Sequence, residues 1–249
     1  PYAVLQFNRP DVLNDIPKML MSSYGPLALK WNYIPKMFNW FLHYFKNCNH
    51  KSMMHTAKYM HQILSLSNDA YEEIFQEINT TGLVEKKGII YIWTNKNLKS
   101  RKLEIKVREE LGIEQKLLTQ KEVLDLEPNL QPVSDGGVIY ESAMHAKDPH
   151  GILKEIFKLF LKKGGKFIQT NIKSLEQINI NETVIKSERN QYKFEKTVVA
   201  SGAFSKFLTD QLGEKIPLDT ERGYHVHFKD KDHLIQRTVI ILDKGFGMN

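Results

Sequence analysis

Cysteine is almost missing from this chain of 249 residues: Cys48 is the only one. No intrachain disulfide can form, and a reducing compartment fits. Long apolar runs are missing too, since none approaches the roughly 20 residues a helix needs to span a bilayer. No signal-peptide pattern is read at the start. Arginine is scarce: only six of the 35 basic residues are Arg, at 9, 101, 108, 189, 222 and 237, and the lysines are scattered. A nucleic-acid surface gathers Arg and aromatics on one face, so no nucleic-acid partner is expected. The formal charge of +6 reads as a lysine-rich solvated surface, with modest attraction for anionic substrates or anionic lipid. The chain also lacks G-x-G-x-x-G, a P-loop and G-x-S-x-G.

What is present begins with ordinary soluble composition, 41% hydrophobic and 26% charged. The length suits one large domain or two interleaved ones. The most telling stretch is 196–213, KTVVASGAFSKFLTDQLG. Thr197–Ala200 is a short apolar run, too short for a helix and right for a buried strand. Ser201, Gly202 and Ala203 replace bulk with almost nothing. Phe204 opens a helical pattern through Phe207, Leu208 and Leu212, and Gly213 stops it. A strand, a tiny-residue turn and a helix let backbone approach a ligand closely, and a helix N-terminus favours phosphate. The same pattern also suits an ordinary tight βα turn. Both readings stay open on the residues alone.

Along the rest of the chain, residues 29–47 are rich in aromatics, with Trp31, Ile34, Phe38, Phe41 and Phe45 three or four apart. They predict a helix beginning near Ile34, either a core or lid helix or an amphipathic surface that touches membrane or a quinone. The polar face lacks a clear basic stripe, which favours core or lid. Residues 51–79 keep the helical period throughout and predict one long helix. Gly88–Trp93 and Val138–Tyr140 read as strands, Leu103–Leu111 as a helix, and Thr119 with Glu122 as a capping box. Asp148–Pro149 marks a helix start, an N-cap followed by proline. Residues 166–170, 172–178 and 183–187 are expected as strands. Residues 223–228 and 238–242 alternate like half-buried antiparallel strands.

Three polar clusters stand out. His225 and His227 share a face, but no carboxylate or cysteine accompanies them at metal-ligand spacing, so no metal is expected. His145, Asp148 and His150 surround a helix start, and capping alone explains Asp148. Arg222-Gly223-Tyr224 suits a carboxylate, because Arg holds one with two parallel hydrogen bonds and Tyr adds a third. A strand-edge Arg in a surface ion pair explains the same trio.

The order of segments resembles the middle of the flavin-dependent amino-acid dehydrogenases of the D-amino-acid dehydrogenase type, within the D-amino-acid oxidase-like FAD oxidoreductases. The matching pieces are residues 24–31, Asn39–Leu42, Glu127-Pro128, Gly136–Val138, Asp148-Pro149, Gly164-Gly165 with Phe167, Val198–Ser205 and Arg222–Tyr224. The resemblance implies an α/β fold of mixed α+β character: a Rossmann-like FAD-binding domain interleaved with a substrate domain of mixed or antiparallel sheet plus helices. Its expected boundaries are 1–139 for the substrate domain, 140–213 for part of the FAD-binding domain, and 214–249 for the return. The family's N-terminal glycine fingerprint and its C-terminal closing segment are not in this sequence, so an internal fragment is expected. By position, Ile172 meets the adenine side of FAD, and Ala200, Ser201, Gly202 and Ala203 face the cofactor. Arg222 and Tyr224 are the expected catalytic-site residues, placing the substrate. In many members the position of Arg222 carries Lys. The resemblance further implies oxidation of a D-amino acid, with a quinone acceptor. Its alternatives are a sarcosine- or proline-type amine, a 2-hydroxy acid, or a non-catalytic piece. The expected location is cytoplasmic, with peripheral contact to the inner face of the membrane left open.

Overall fold

The computed structural model describes residues 10, 13, 14, 16, 21, 32, 34–93, 99–130, 135–218, 220, 223–228, 234–242 and 244–249. It is a mixed helix and sheet fold in two compact units. One is formed by Pro1–Lys162 with Asp230–Asn249, the other by Lys163–Lys229.

The larger unit is built on a five-stranded sheet. It contains β1 (Val84–Glu85), β2 (Ile89–Ile92), β3 (Lys116–Leu118), β4 (Gly137–Tyr140), β5 (His145–Ala146), β9 (Thr238–Ile241) and β10 (Phe246–Met248). The sheet order is β10-β9-β2-β4-β3, while β1 and β5 pair as a separate two-stranded ribbon. Every residue of β2 is buried. Its unbroken apolar run is what a strand covered on both faces requires. Tyr91, Val138 and Tyr140 pack on one face against Met53, Ala57 and Val107. Ile90, Ile92 and Ile139 pack on the other with Val123, Val239 and Ile241.

The helices of this unit are α1 (Ile34–Asn47), α2 (His50–Leu64), α3 (Ser67–Phe75), α4 (Lys99–Glu110), α5 (Gln120–Leu126) and α6 (Pro149–Lys162). The capping box at α5 forms as expected: Thr119 N–H donates to Glu122 Oε2 at 2.8 Å, and Glu122 N–H donates to Thr119 Oγ1 at 3.3 Å. Asp148 caps α6 by accepting from Gly151 N–H at 2.9 Å.

Three expectations change in this unit. The single helix over 51–79 is two, α2 and α3. Ser65 and Ser67 direct their hydroxyls onto the Gln62 and Leu64 carbonyls, competing with the helical ladder at the join. Residues 238–242 were expected beside antiparallel neighbours, yet β9 runs parallel to β2 and antiparallel only to β10. Helix α1 is not a core helix, because none of its residues is buried. Its apolar arc is wider than its contact: Ile34, Met37, Phe41 and Tyr44 are half-buried, and Phe38, Trp40, Leu42 and Phe45 are exposed.

The smaller unit is a three-stranded antiparallel sheet of β6 (Ile172–Asn179), β7 (Glu182–Ser187) and β8 (Gln191–Phe194). It is completed by α7 (Ser205–Thr209), a short helix with a 3₁₀ turn on each side. Leu175, Val184 and Leu208 are its buried apolar residues. Gly213, at φ 80°, ends the helical stretch in the left-handed conformation. Residues 166–170, 197–200 and 223–228 are not strands. Their patterns suit a ladder, but among the described residues the sheet of this unit holds β6, β7 and β8, and none of the three segments is paired there. An extended run without a partner satisfies no ladder bonds and stays as coil.

Candidate functional site

The expected cofactor residues all lie in the smaller unit. Ile172, the first residue of β6, is half-buried and pairs in register with Ser187. Ala200–Ala203 form an exposed turn that leads into α7. The turn is closed internally: Phe204 N–H donates to the Ser201 carbonyl at 3.1 Å, and Ser201 N–H donates to Ser205 Oγ at 3.1 Å. Ser205 is buried beneath it. Gln211 ties the end of the helical stretch to β6. Its Oε1 accepts from Leu175 N–H at 3.1 Å, and its Nε2 donates to the Lys173 and Phe207 carbonyls at 3.2 Å each. One side chain thus holds the edge of β6 next to the helix that begins at the turn.

Gly202 adopts φ +56°, a conformation L side chains rarely take, and a Cβ built on it meets nothing within 4 Å. The backbone here is open to an approaching group. Around it the unit presents apolar surface to solvent: Val198, Phe204 and Phe207 are exposed. Thr197 Oγ1 is buried with no hydrogen-bond partner among the described residues.

Of the expected catalytic pair, Arg222 lies outside the described residues. Tyr224 is 86% exposed, in coil. His225 and His227 meet edge to face with ring centroids 4.9 Å apart.

Two polar clusters in the larger unit escaped the sequence reading. Glu127 is 1% exposed, and its carboxylate accepts from Gln236 N–H at 2.8 Å and Arg237 Nε at 3.1 Å. The resemblance marked Glu127-Pro128 without giving the carboxylate a role. Its partners are 109 and 110 residues away, so no local pattern pairs them. The other cluster centres on Arg108, which is buried, pairs with Glu104 at 3.5 Å and lies 5.6 Å from the Tyr140 ring centroid. Burial pushes the Tyr140 hydroxyl up to about 12, against the lowering pull of Arg108. The i,i+4 spacing of Glu104 and Arg108 was the available signal. A small recess is lined here by Tyr91, Trp93, Glu104, Arg108 and Tyr140.

At the β1–β5 ribbon, Glu85 faces His145 in register. Burial holds the His145 imidazole below its ordinary range, more strongly than the Glu85 charge raises it. The folded state therefore binds fewer protons than the unfolded one. Stability from this site is present above the ordinary imidazole pKa of about 6.5 and is lost as pH falls through it. His145→Asn is expected to flatten the fall in urea midpoint on acidification below that value. An unchanged slope would show that His145 is not coupled to folding.

The sequence matches the family described as FAD dependent oxidoreductase over residues 21–247. The chain belongs to that family. Among its relatives, a D-amino-acid oxidase of Bradyrhizobium diazoefficiens is 26% identical over all of this chain and 59% of its own length. A D-amino acid dehydrogenase of Vibrio atlanticus is 24% identical over 83% of this chain and 51% of its own length. The chain thus spans about half to three-fifths of the curated relatives it matches. In fold it resembles the L-proline dehydrogenase of P. horikoshii, with TM-score 0.57 and 18% identity over 74% of this chain and 50% of that one. The glycine oxidase of Geobacillus kaustophilus gives TM-score 0.56 with the same identity and coverage.

The cofactor of this family is FAD, and the turn at 201–203 fits close approach by a flat group. It carries no side chain beyond a hydroxymethyl and a methyl, it is exposed, and Gly202 leaves its backbone uncovered. It offers no charged side chain of its own.

Proposed function

We propose that this chain is part of an FAD-dependent oxidoreductase that oxidises the C–N bond of a D-amino acid. The imino acid formed takes up water and releases ammonia, leaving a 2-oxo acid. The family match across residues 21–247, with relatives named for D-amino acids, is the observation that carries this reading. When bound, the flavin supplies an acceptor for the hydride on the amine-bearing carbon.

In this reading the chain itself binds and orients. Ile172 and Ala200–Ala203 hold one edge of the cofactor by close backbone contact. Arg222 holds the substrate carboxylate with two parallel hydrogen bonds, and the Tyr224 hydroxyl donates a third. Fixing the carboxylate aligns the C–H bond, which is where a protein contributes most to such a reaction. The acceptor that re-oxidises the enzyme is a quinone in this proposal.

The test is the visible spectrum of the protein extended at both ends to the length of its relatives. Flavin bands that D-alanine bleaches anaerobically support the proposal. Bleaching by sarcosine, proline or a 2-hydroxy acid instead overturns the substrate class. A colourless protein overturns the cofactor assignment. Reduction of a quinone rather than dioxygen checks the acceptor.

Gly202 separates folding from cofactor contact. Gly202→Val forces a β-branched residue to φ +56°, although a Cβ placed there meets nothing within 4 Å. Its cost to folding is expected to be modest, about 1–2 kcal/mol. Flavin content of the extended protein is expected to fall several-fold, because the new side chain fills the space the cofactor edge would use. Full flavin occupancy in the folded variant would remove the turn from the site.

A further inference from the structure

Helices α2 and α3 carry opposite charge. Between His50 and Leu64, α2 holds Lys51 and Lys58 and no aspartate or glutamate. Between Ser67 and Phe75, α3 holds Asp69, Glu72 and Glu73 and no lysine or arginine. Ser65 and Leu66 at the join keep right-handed helical backbone, at φ −61°, ψ −27° and φ −79°, ψ −12°, so the chain passes from one helix to the other without reversing. Neither helix explains its own charges. No oppositely charged i,i+4 pair is available within either. Lys51 stands in the first turn of α2 and Glu73 in the last turn of α3, where the helix dipole favours the opposite signs.

An apolar ridge runs through the same place. Tyr59, Ile63 and Leu66 follow the i, i+4, i+7 rule and are exposed by 54%, 70% and 69%. Met53 and Ala57 take the core side of α2, and the ridge lies on the other. His55 tilts against Tyr59, with ring centroids 4.6 Å apart. Lys51, Lys58, Asp69 and Glu73 are exposed as well, while Glu72 is engaged by Lys86 of the same chain. The surface is therefore basic at one end, acidic at the other and apolar between.

We propose that a second copy of this chain docks here, α2 and α3 of one lying antiparallel against α2 and α3 of the other about a two-fold axis level with Leu64. Charge complementarity selects the occupant, because a surface with one basic and one acidic end is complementary to itself turned by half a turn. The spacing agrees. In an antiparallel two-fold pair, residues equally far before and after the axis face each other. Ile63 and Leu66 are one position before and two after Leu64, so ridge meets ridge. Tyr59 and Ala70 are five before and six after, so a large ring meets a small residue. Lys58 and Asp69 are six before and five after, and His55 and Glu73 are nine on either side. A single axis position thus seats the apolar contacts and the opposite charges together. The proposal stands independently of the flavin reading.

Sedimentation equilibrium of the extended protein over a range of concentrations tests it. A reversible dimer is expected, and a monomer at every concentration overturns the proposal. Ile63→Gln with Leu66→Gln is expected to abolish the dimer while helix content by circular dichroism holds, since both side chains are exposed. A dimer that survives this change uses another face and overturns the proposal too. Lys58→Glu alone and Asp69→Lys alone are each expected to weaken the dimer about tenfold, because the symmetry places like charges at both ends of the interface. An equimolar mixture of these two variants is expected to regain parental affinity, since lysine then faces a carboxylate at both ends. Only pairing across a two-fold axis gives that recovery. Single variants that weaken the dimer without recovery in the mixture overturn the proposal, as does a dimer indifferent to all four substitutions.

Discussion

Glu127→Ala is expected to destabilise the protein by about 3–5 kcal/mol, the range for removing one partner of a buried ion pair. The carboxylate is 1% exposed, and both oxygens are used: Oε2 by Gln236 N–H at 2.8 Å, Oε1 by Arg237 Nε at 3.1 Å. Its own backbone is bound as well, N–H to the Val123 carbonyl at 2.9 Å and carbonyl from Leu130 N–H at 3.0 Å. This one residue ties the end of α5 to the segment that enters β9, the strand that lies parallel to central β2. Alanine would leave the Arg237 guanidinium, whose side chain is 14% exposed, without that carboxylate. Glu127→Gln keeps the shape and one acceptor and is expected to cost less. Arg237→Met in the Glu127→Leu background is expected to recover much of the loss, because no buried charge then remains. Urea unfolding of the four proteins measures all of this. A Glu127→Ala protein within about 0.5 kcal/mol of the parent would show that the pair is not what anchors β9.

That anchor shows where a single sequence is readable and where it is not. Local rules served well: the Thr119–Glu122 capping box, the Asp148 N-cap, the Gly213 stop and the buried run of β2 all stand at the residues that predict them. They depend on neighbours within four residues or on the apolar content of one segment. Pairing across distance was not readable. Thr197–Ala200 and Gly223–Phe228 carry strand patterns, but a pattern states only that a segment would pair well, not that a partner is at hand. Among the described residues of the smaller unit no ladder takes them, and both are coil. Helix α1 shows a related limit. Periodicity identified its apolar face and left its occupant open, and only the exposure of Phe38, Leu42 and Phe45 shows that the face is not turned to a core. Of the candidate site, the open turn at Gly202 was legible from its small residues. The Gln211 clamp that positions it was not, because an amide reaching back 36 and 38 residues leaves no local trace.

Arg222→Ala in the extended enzyme is expected to lower kcat/KM for a D-amino acid by roughly 10²–10³-fold, the cost of losing a two-bond hold on a desolvated carboxylate. Tyr224→Phe removes one hydrogen bond to the same group, and about a tenfold loss is expected. The split between constants is informative. If the pair only binds substrate, KM rises and kcat holds. If it also aligns the C–H bond with the cofactor, kcat falls too. Flavin content and thermal stability are expected to stay at parental values in the Tyr224 variant, because that side chain is 86% exposed and nothing in the fold rests on it. Arg222→Lys is the sharper comparison, since the resemblance implies Lys at this position in many members. It keeps the charge but loses the planar fork, so it is expected to recover part of the binding and less of the alignment. Added guanidinium should restore activity to Arg222→Ala and not to Arg222→Lys, whose ammonium occupies the place. Unchanged kcat/KM in both Arg222→Ala and Tyr224→Phe would remove the trio from the substrate site and leave the turn at Gly202 as the part of the proposed site that this chain supplies.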